Sequence, residues 1–172
     1  TLDRSSAASD VYKRQVQRLL ALRPAVIRGN ASEIIALAGG QSASKGVDAR
    51  DPVQLAEQAA RDLARAQQTV VAVTGEVDFV TDGTREVRVT GGSPLMPQVT
   101  ATGCALTAVV GAFVAVSKQD TYTAAVAALS CFGIAGRRAG ALADGPGSFA
   151  WRFLDALAAL ETDSLTRESP LR

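Results

Sequence analysis

The segment Val99-Thr100-Ala101-Thr102-Gly103-Cys104 is the part of the sequence best suited to binding an anion. It is a loop of small residues that leads directly into an apolar stretch at residues 105–116. A helix that begins this way leaves its first backbone N–H groups unpaired and places the positive end of its dipole beside them. The segment therefore predicts a hole for a phosphate or carboxylate group, although an ordinary tight turn before a helix fits it equally well.

Cys104 stands at this predicted helix start, where the positive end of the dipole favours a thiolate. That position makes Cys104 a candidate base or anion partner. Taken alone, the alternative of a small buried apolar residue is the stronger one, because free cysteines are most often buried. For Cys131, which lies among apolar residues in a predicted helix, we expect packing in the core.

A second cluster is Arg28-Gly29-Asn30 together with Glu33, just after a short apolar run at residues 25–27. One helical turn brings the Asn30 amide close to the Glu33 carboxylate, and such oxygens suit water-mediated binding of Mg²⁺ beside a phosphate. Arg28 could pair with that phosphate. A capping box explains Asn30 and Glu33 fully and leaves only Arg28 without a structural reason.

A third cluster, Thr74-Gly75-Glu76-Val77-Asp78, follows the clearest predicted strand, residues 69–74. Open α/β sheets place their ligands at the carboxyl ends of their strands, which makes this segment a candidate binding loop. The alternative is a surface turn in which Glu76 and Asp78 are two solvated carboxylates.

Short β-rich runs alternate with longer Ala/Leu-rich segments, a pattern that predicts an α/β layer structure. Besides the strands at 25–27 and 69–74, we expect a hairpin of residues 77–81 and 86–90 around Asp82-Gly83. Helices are expected at residues 17–22, 30–38, 51–63, 103–117, 121–144 and 149–160. Trp151 and Phe153 are expected to pack inside, and the polar tail at 161–172 is expected to fray.

The composition excludes several classes of function. The chain has 172 residues, 18 Lys+Arg against 17 Asp+Glu, two cysteines and no histidine. Without histidine there is no zinc site of the usual kind and no Ser-His or Cys-His dyad. The near-zero net charge argues against nucleic-acid and membrane partners, and the longest apolar run is too short to span a bilayer. We therefore expect a soluble protein of a reducing compartment, the cytoplasm.

Nucleotide-binding motifs of the common kinds are not found. No GxxxxGK[ST] sequence occurs, which excludes a Walker-type site. The segment at 145–150 fits GxGxxA, but a predicted helix rather than a strand precedes it, so the dinucleotide interpretation lacks its structural context.

Five segments in this order closely resemble the hydroxyethylthiazole kinases, a family of the ribokinase-like superfamily. They are Ile27 to Glu33, Lys45 to Ala49, Val73 to Asp78, Val99 to Cys104 and Gly145 to Phe149. The resemblance covers residues 16–160 and corresponds to the later part of the family. It implies an α/β ribokinase-like three-layer sandwich, truncated at the N-terminus.

The resemblance implies ATP-dependent phosphorylation of the hydroxyethyl group of 4-methyl-5-(2-hydroxyethyl)thiazole in thiamine biosynthesis or salvage, with Mg²⁺, by a homotrimer. By position, Arg28 and Thr74 match ATP-binding residues. Asn30 and Glu33 match the Asn-x-x-Glu element that organises Mg²⁺ and phosphate.

The same resemblance gives Cys104 the place of the aspartate base of ribokinase relatives, and the backbone amides of Gly103 and Cys104 the anion hole. Ala101 stands where the family usually has a glycine that contacts the thiazole. An added methyl group at this position restricts φ and could crowd the substrate.

Two alternatives to this function remain open. One is another ribokinase-like enzyme, such as a hydroxymethylpyrimidine kinase or a hydrate dehydratase, although Asp rather than Cys104 would be usual there. The other is a catalytically silent nucleotide-binding fragment.

The chain is expected to have three parts. Residues 1–15 resemble the translation of a sequencing adapter and are expected to be non-native. Residues 16–160 are expected to form the C-terminal part of one kinase domain, and residues 161–172 a polar tail.

Overall fold

The centre of the protein is a four-stranded sheet, described by a computed structural model that covers residues 15–39, 52–117 and 120–171. The strands, in their order across the sheet, are β1 (Val26–Asn30), β2 (Val70–Thr74), β3 (Asp78–Thr81) and β4 (Glu86–Val89). β1 and β2 are parallel, whereas β3 is antiparallel to both of its neighbours. The parallel register places Asn30 opposite Thr74, so the carboxyl ends of β1 and β2 meet at one edge of the sheet.

The helices follow or connect these strands, and residues 15–20, before β1, are also helical. The labelled helices are α1 (Ala31–Leu37), α2 (Pro52–Gln67), α3 (Thr102–Val116), α4 (Thr121–Gly140), α5 (Pro146–Ala158) and α6 (Ser164–Arg167). A short 3₁₀ helix, Met96–Gln98, precedes α3. The predicted segment around Lys45 lies outside the described residues.

Both faces of the sheet are covered by helices. Successive side chains of a strand point to opposite faces, and in β2 all of Val70, Val71, Ala72 and Val73 are buried. Val71 and Val73 belong to a core shared with α1 and α2, whereas Val70 and Ala72 belong to a core shared with α3, α4 and α5. The expected three-layer α/β sandwich is therefore confirmed.

The ends of two predicted helices are corrected. α4 ends at Gly140 instead of continuing to residue 144, and α5 begins at Pro146 instead of residue 149. A residue that precedes proline is disfavoured in helical conformation, so Gly145 separates the two helices. Pro146 then takes the first helical position, and Ser148 Oγ accepts a hydrogen bond from the Gly145 N–H at 3.2 Å.

The polar tail does not fray, contrary to expectation. The Thr90 N–H donates to the Pro170 carbonyl at 2.8 Å, and Leu171 forms a bridge with Val89 at the end of β4. Glu168 also pairs with two arginines of α4. The polar sequence of the tail predicts fraying because it does not reveal these partners, which are distant in sequence.

The prediction for the aromatic residues of α5 is half right. Phe153 is buried and meets the Phe132 ring edge-on, with centroids 4.7 Å apart. Trp151 is 52% exposed, which contradicts the expected packing. The Arg152 guanidinium carbon lies 4.4 Å from the centre of the Trp151 ring.

None of the fifteen residues of helix α3 is charged, and most of them are apolar. Only Leu106 and Val110 are buried, although the helix packs against α4. Among the described residues, no strand pairs with the outer edge of β1, and a groove of about 390 Å³ separates that edge from α3. No described helix is both long enough and apolar enough to cross a membrane.

Candidate active site

Arg28 joins three segments that are distant in sequence. Its Nη2 donates to Thr74 Oγ1 at 2.8 Å, and its Nη1 donates to the Gly103 carbonyl at 3.2 Å. Thr74 Oγ1 in turn donates to the Gly29 carbonyl at 3.3 Å. The structure thus brings together Arg28 on β1, Thr74 at the end of β2 and Gly103 at the start of α3.

The arginine keeps a donor for a further partner. Its Nε is buried and has no acceptor among the described residues. A buried donor without a partner is costly, so this position fits an anion that would supply the missing acceptor. Gly103 allows the arrangement, because a Cβ there would lie only 3.2 Å from Arg28 Nη2.

The start of α3 has the geometry of an anion hole. The Ala105 N–H donates to the Ala101 carbonyl at 2.9 Å, so the amides of Thr102, Gly103 and Cys104 precede the first intrahelical bond. The Thr102 hydroxyl donates to the Val99 carbonyl at 2.7 Å, away from the three amides at the start of the helix. No side chain of residue 101 caps the helix.

Ala101 adopts a left-handed backbone conformation, with φ of 67°. This region suits glycine and costs an L-residue with a Cβ roughly 1 kcal/mol or more. The family resemblance implies glycine at this position, and the left-handed backbone is a reason for glycine that does not involve the substrate. Ala101 therefore holds the loop before α3 at an energetic cost.

Cys104 is exposed in the first turn of α3, so the interpretation of a small buried residue is wrong for this thiol. It lies next to Gly103 but does not line the cleft described below. Cys131 is half-buried and belongs to neither core, so its expected place in the core is wrong, although partial burial raises the pKa of its thiol.

Asn30 and Glu33 form the predicted capping box at the start of α1. Asn30 Oδ1 accepts from the Glu33 N–H at 2.9 Å, and Glu33 Oε2 accepts from the Asn30 N–H at 2.8 Å. Within residues 15–39, 52–117 and 120–171, no three Asp, Glu, Cys or His residues cluster as a metal site. The donor set fits Mg²⁺ only if most ligands come from phosphate oxygens and water, which is the usual coordination of Mg²⁺ beside a nucleotide.

A cleft of about 1050 Å³ opens at the carboxyl ends of β1 and β2. Arg28, Asn30 and Thr74 line its polar end, and Leu129 and Phe132 line an apolar part. Such a combination suits a ligand that has both a charged group and a ring. Of the predicted site residues, Arg28, Asn30, Thr74 and Gly103 line this cleft, whereas Ala101, Glu33 and Cys104 do not.

One wall of the cleft is the segment that follows β4, from Thr90 to Met96. The Gly92 N–H donates to the Gly133 carbonyl at 2.8 Å, which fastens residues 90–96 to α4. Gly91 has φ of 134° and approaches the Gly133 backbone so closely that a Cβ would lie 3.2 Å from it. Three glycines at this crossing are the only sequence signal of the wall.

Asp78 lines the cleft and is half-buried, so the alternative of a solvated carboxylate is wrong for it. Its Oδ1 accepts from the Gly75 N–H at 3.0 Å. Burial raises the pKa of Asp78 to about 6, while the Gly75 hydrogen bond and the charge of Arg28 act in the opposite direction. Glu76, the other carboxylate of this turn, is exposed as expected.

Comparisons with known proteins agree on one family. A family model described as the hydroxyethylthiazole kinase family matches residues 1–163. The hydroxyethylthiazole kinase of Rhizobium etli (strain CIAT 652) is 62% identical over 165 residues, which are 95% of this chain and 64% of the relative. The corresponding protein of Gemmatimonas aurantiaca is 59% identical over 96% of this chain and 59% of its own length.

A solved structure gives the same result for the fold. The hydroxyethylthiazole kinase protein of Pyrococcus horikoshii OT3 superimposes with a TM-score of 0.84 at 34% sequence identity, over 96% of this chain and 61% of that one. The chain thus spans about three fifths of the length of the relatives it matches.

Proposed function

Because this chain belongs to the hydroxyethylthiazole kinase family, we propose that the protein transfers the γ-phosphoryl group of ATP to the hydroxyethyl group of 4-methyl-5-(2-hydroxyethyl)thiazole. The product would serve thiamine biosynthesis or salvage. Since the chain spans about three fifths of its relatives, the proposal concerns the activity of the whole protein.

The observation that carries the proposal is the position of Arg28 against the start of α3. Phosphoryl transfer depends on positioning and on neutralisation of charge more than on covalent chemistry by the protein. The Arg28 guanidinium, held by Thr74 Oγ1 and the Gly103 carbonyl, supplies a fixed positive charge. The amides of Gly103 and Cys104 add neutral donors, so this corner of the cleft suits the β- and γ-phosphates.

Asn30, which lines the cleft, and Glu33, one helical turn further along, would hold the Mg²⁺ ion through water. When bound, the ion neutralises charge on the phosphate oxygens. Both side chains already hold the start of α1 through the capping box, so their oxygens have fixed positions.

Cys104 is the proposed proton acceptor for the hydroxyl group of the substrate, and Ala101 the proposed neighbour of the thiazole ring. Both residues are exposed and lie within one helical turn of Gly103, so a substrate can reach them beside the proposed phosphate position at the start of α3.

Three further properties are proposed from the family resemblance. The protein is a homotrimer, it acts in the cytoplasm, and residues 16–160 belong to a single kinase domain. Analytical ultracentrifugation of the full-length protein tests the first of these.

The experiment is a kinase assay on the full-length protein with ATP, Mg²⁺ and the thiazole alcohol, with the phosphorylated product identified by mass spectrometry. Arg28→Met should lower kcat/KM by about 100-fold or more, because it removes the fixed charge. Arg167→Met, which changes an exposed surface ion pair, is the matched control and should leave activity unchanged. EDTA should abolish turnover.

The acceptor decides between this function and the ribokinase-like alternatives. Phosphorylation of hydroxymethylpyrimidine but not of the thiazole alcohol would refute the proposal. Turnover that persists undiminished in EDTA would refute the assignment of Asn30 and Glu33.

A further inference from the structure

Two aspartates border β3, and each holds a turn of the sheet. Asp78 is the first residue of the strand, and its Oδ1 accepts from the Gly75 N–H at 3.0 Å. Asp82 follows the last residue, and its Oδ1 accepts from the Thr84 N–H at 2.9 Å. The two side chains thus make the same kind of turn contact at opposite ends of one strand.

Their electrostatic environments are opposite. For Asp82 the cost of burial is outweighed by hydrogen bonds from Arg85 and Thr84, so its pKa lies below the ordinary value. For Asp78 burial raises the pKa to about 6, because one backbone N–H and the charge of Arg28 offset the burial only in part. Asp82 shows that an aspartate can hold a turn of this kind without an environment that raises its pKa.

The location of the Asp78 contact links it to the phosphate corner. Gly75 directly follows Thr74, so the hydrogen bond to the Gly75 N–H fixes the peptide group between these two residues. Thr74 Oγ1, on the other side of that peptide, accepts from Arg28 Nη2 at 2.8 Å. Without this hydrogen bond the backbone at the carboxyl end of β2 would be free to shift, and with it the Cα and Cβ that carry the Thr74 hydroxyl.

We propose that Asp78 is a positioning residue for the nucleotide site: its carboxylate holds the Gly75 N–H, which fixes Thr74 and, through Thr74, the guanidinium of Arg28. The inference rests on the proposed function, in which Arg28 and Thr74 hold the phosphates. It assigns to Asp78 no contact with the substrate and no part in proton transfer.

The test compares four single variants of the full-length protein. Affinity is measured by calorimetric titration with the non-hydrolysable ATP analogue AMP-PNP in Mg²⁺, and KM for ATP and kcat are measured separately. Asp78→Ala should weaken AMP-PNP binding about tenfold and raise KM for ATP to the same degree, with a smaller change in kcat. Asp78→Asn, whose amide oxygen still accepts from the Gly75 N–H, should remain within about twofold of the wild type.

Asp78→Glu separates geometry from charge, because it keeps the carboxylate but carries it past the Gly75 N–H. It should lose affinity as Asp78→Ala does, and it replaces the alanine variant if that one does not fold. Asp82→Ala is the matched control: it removes the turn contact at the other end of β3 and should leave both Kd and KM unchanged.

The inference is overturned if Asp78→Ala and Asp78→Glu bind AMP-PNP as the wild type does, or if Asp78→Asn is as weak as they are. An equal loss of AMP-PNP affinity in Asp82→Ala also overturns it, because weakening either turn of β3 would then have the same effect on nucleotide binding. The proposed function fails differently: a wild type that binds AMP-PNP but does not phosphorylate the thiazole alcohol refutes that function and leaves the comparison of affinities valid.

Discussion

A methyl group at Gly103 is expected to damage nucleotide binding without damaging the fold. Gly103 lies in the first turn of α3 and has no positive φ, so the backbone accepts alanine. A Cβ at this position would lie 3.2 Å from Nη2 and 3.3 Å from Nη1 of Arg28. Comfortable contacts are about 3.5–4.0 Å, so the guanidinium must move away by a few tenths of an ångström.

The size of the effect follows from the two hydrogen bonds that this movement disturbs. Arg28 donates to Thr74 Oγ1 at 2.8 Å and to the Gly103 carbonyl at 3.2 Å. A hydrogen bond to a charged group contributes about 1.5–3 kcal/mol, and weakening one by half costs roughly 1 kcal/mol. We therefore expect Gly103→Ala to lower kcat/KM for ATP about fivefold, while the alanine helps the helix by up to about 1 kcal/mol.

The assay is steady-state kinetics at varied ATP together with thermal unfolding of each variant. Gly111→Ala in the same helix is the control, because a Cβ there meets no atom within 4 Å. It should raise the unfolding temperature and leave KM for ATP unchanged. If Gly103→Ala has the wild-type kcat/KM for ATP, or if both variants lose the same activity, the assignment of Arg28 to the phosphates is wrong.

Two further predictions concern Cys104 and Asp78. Cys104→Ala should lower kcat about 100-fold with little change in affinity for AMP-PNP, whereas Cys104→Asp should keep measurable activity; wild-type kcat in the alanine variant with a dead aspartate variant would show that the thiol is not the base. The pKa of Asp78 in the folded protein, about 6, lies above its ordinary value of 3.8, so the folded state binds this proton more tightly than the unfolded state. The resulting stabilisation of the folded state is present below pH 4 and is lost as the pH rises to 6. Asp78→Asn should lack that loss and be more stable than the wild type by up to about 3 kcal/mol at pH 7, measured by urea unfolding from pH 4 to 7; a difference between the two proteins that does not change with pH would contradict the burial of the charge.

Features set by neighbours in sequence could be predicted. The capping box of Asn30 and Glu33 needs only a spacing of three residues, and the hairpin around Asp82-Gly83 needs only two β-rich runs and a turn. The capping box did not account for Arg28, because this residue lies on β1 and its partners belong to β2 and α3. The family resemblance assigned Arg28, Thr74 and Gly103 to one site, whereas the hydrogen bonds that join them are seen only in the structure.

Features set by tertiary packing could not be predicted. The burial of Asp78 depends on the loop and helix that form the other wall of the cleft, so the sequence left open whether residues 74–78 form a binding loop or a solvated turn. The exposure of Trp151 depends on which face of α5 meets α4, and the ordered tail depends on a hydrogen bond from Thr90 to Pro170. Local propensity carries no information on such distant partners.

The Arg28 contacts also bear on when the site is formed during folding. Its partners Thr74 and Gly103 lie 46 and 75 residues further along the chain, so both bonds require the closure of long loops. Contacts of this separation form late, after local helices and hairpins, because closing the loop costs chain entropy before the contact contributes any stabilising free energy. Under the proposed function, nucleotide affinity would therefore report on complete folding of the layers around the cleft, and saturating nucleotide would stabilise that state alone, by about 2.7 kcal/mol at one hundred times Kd.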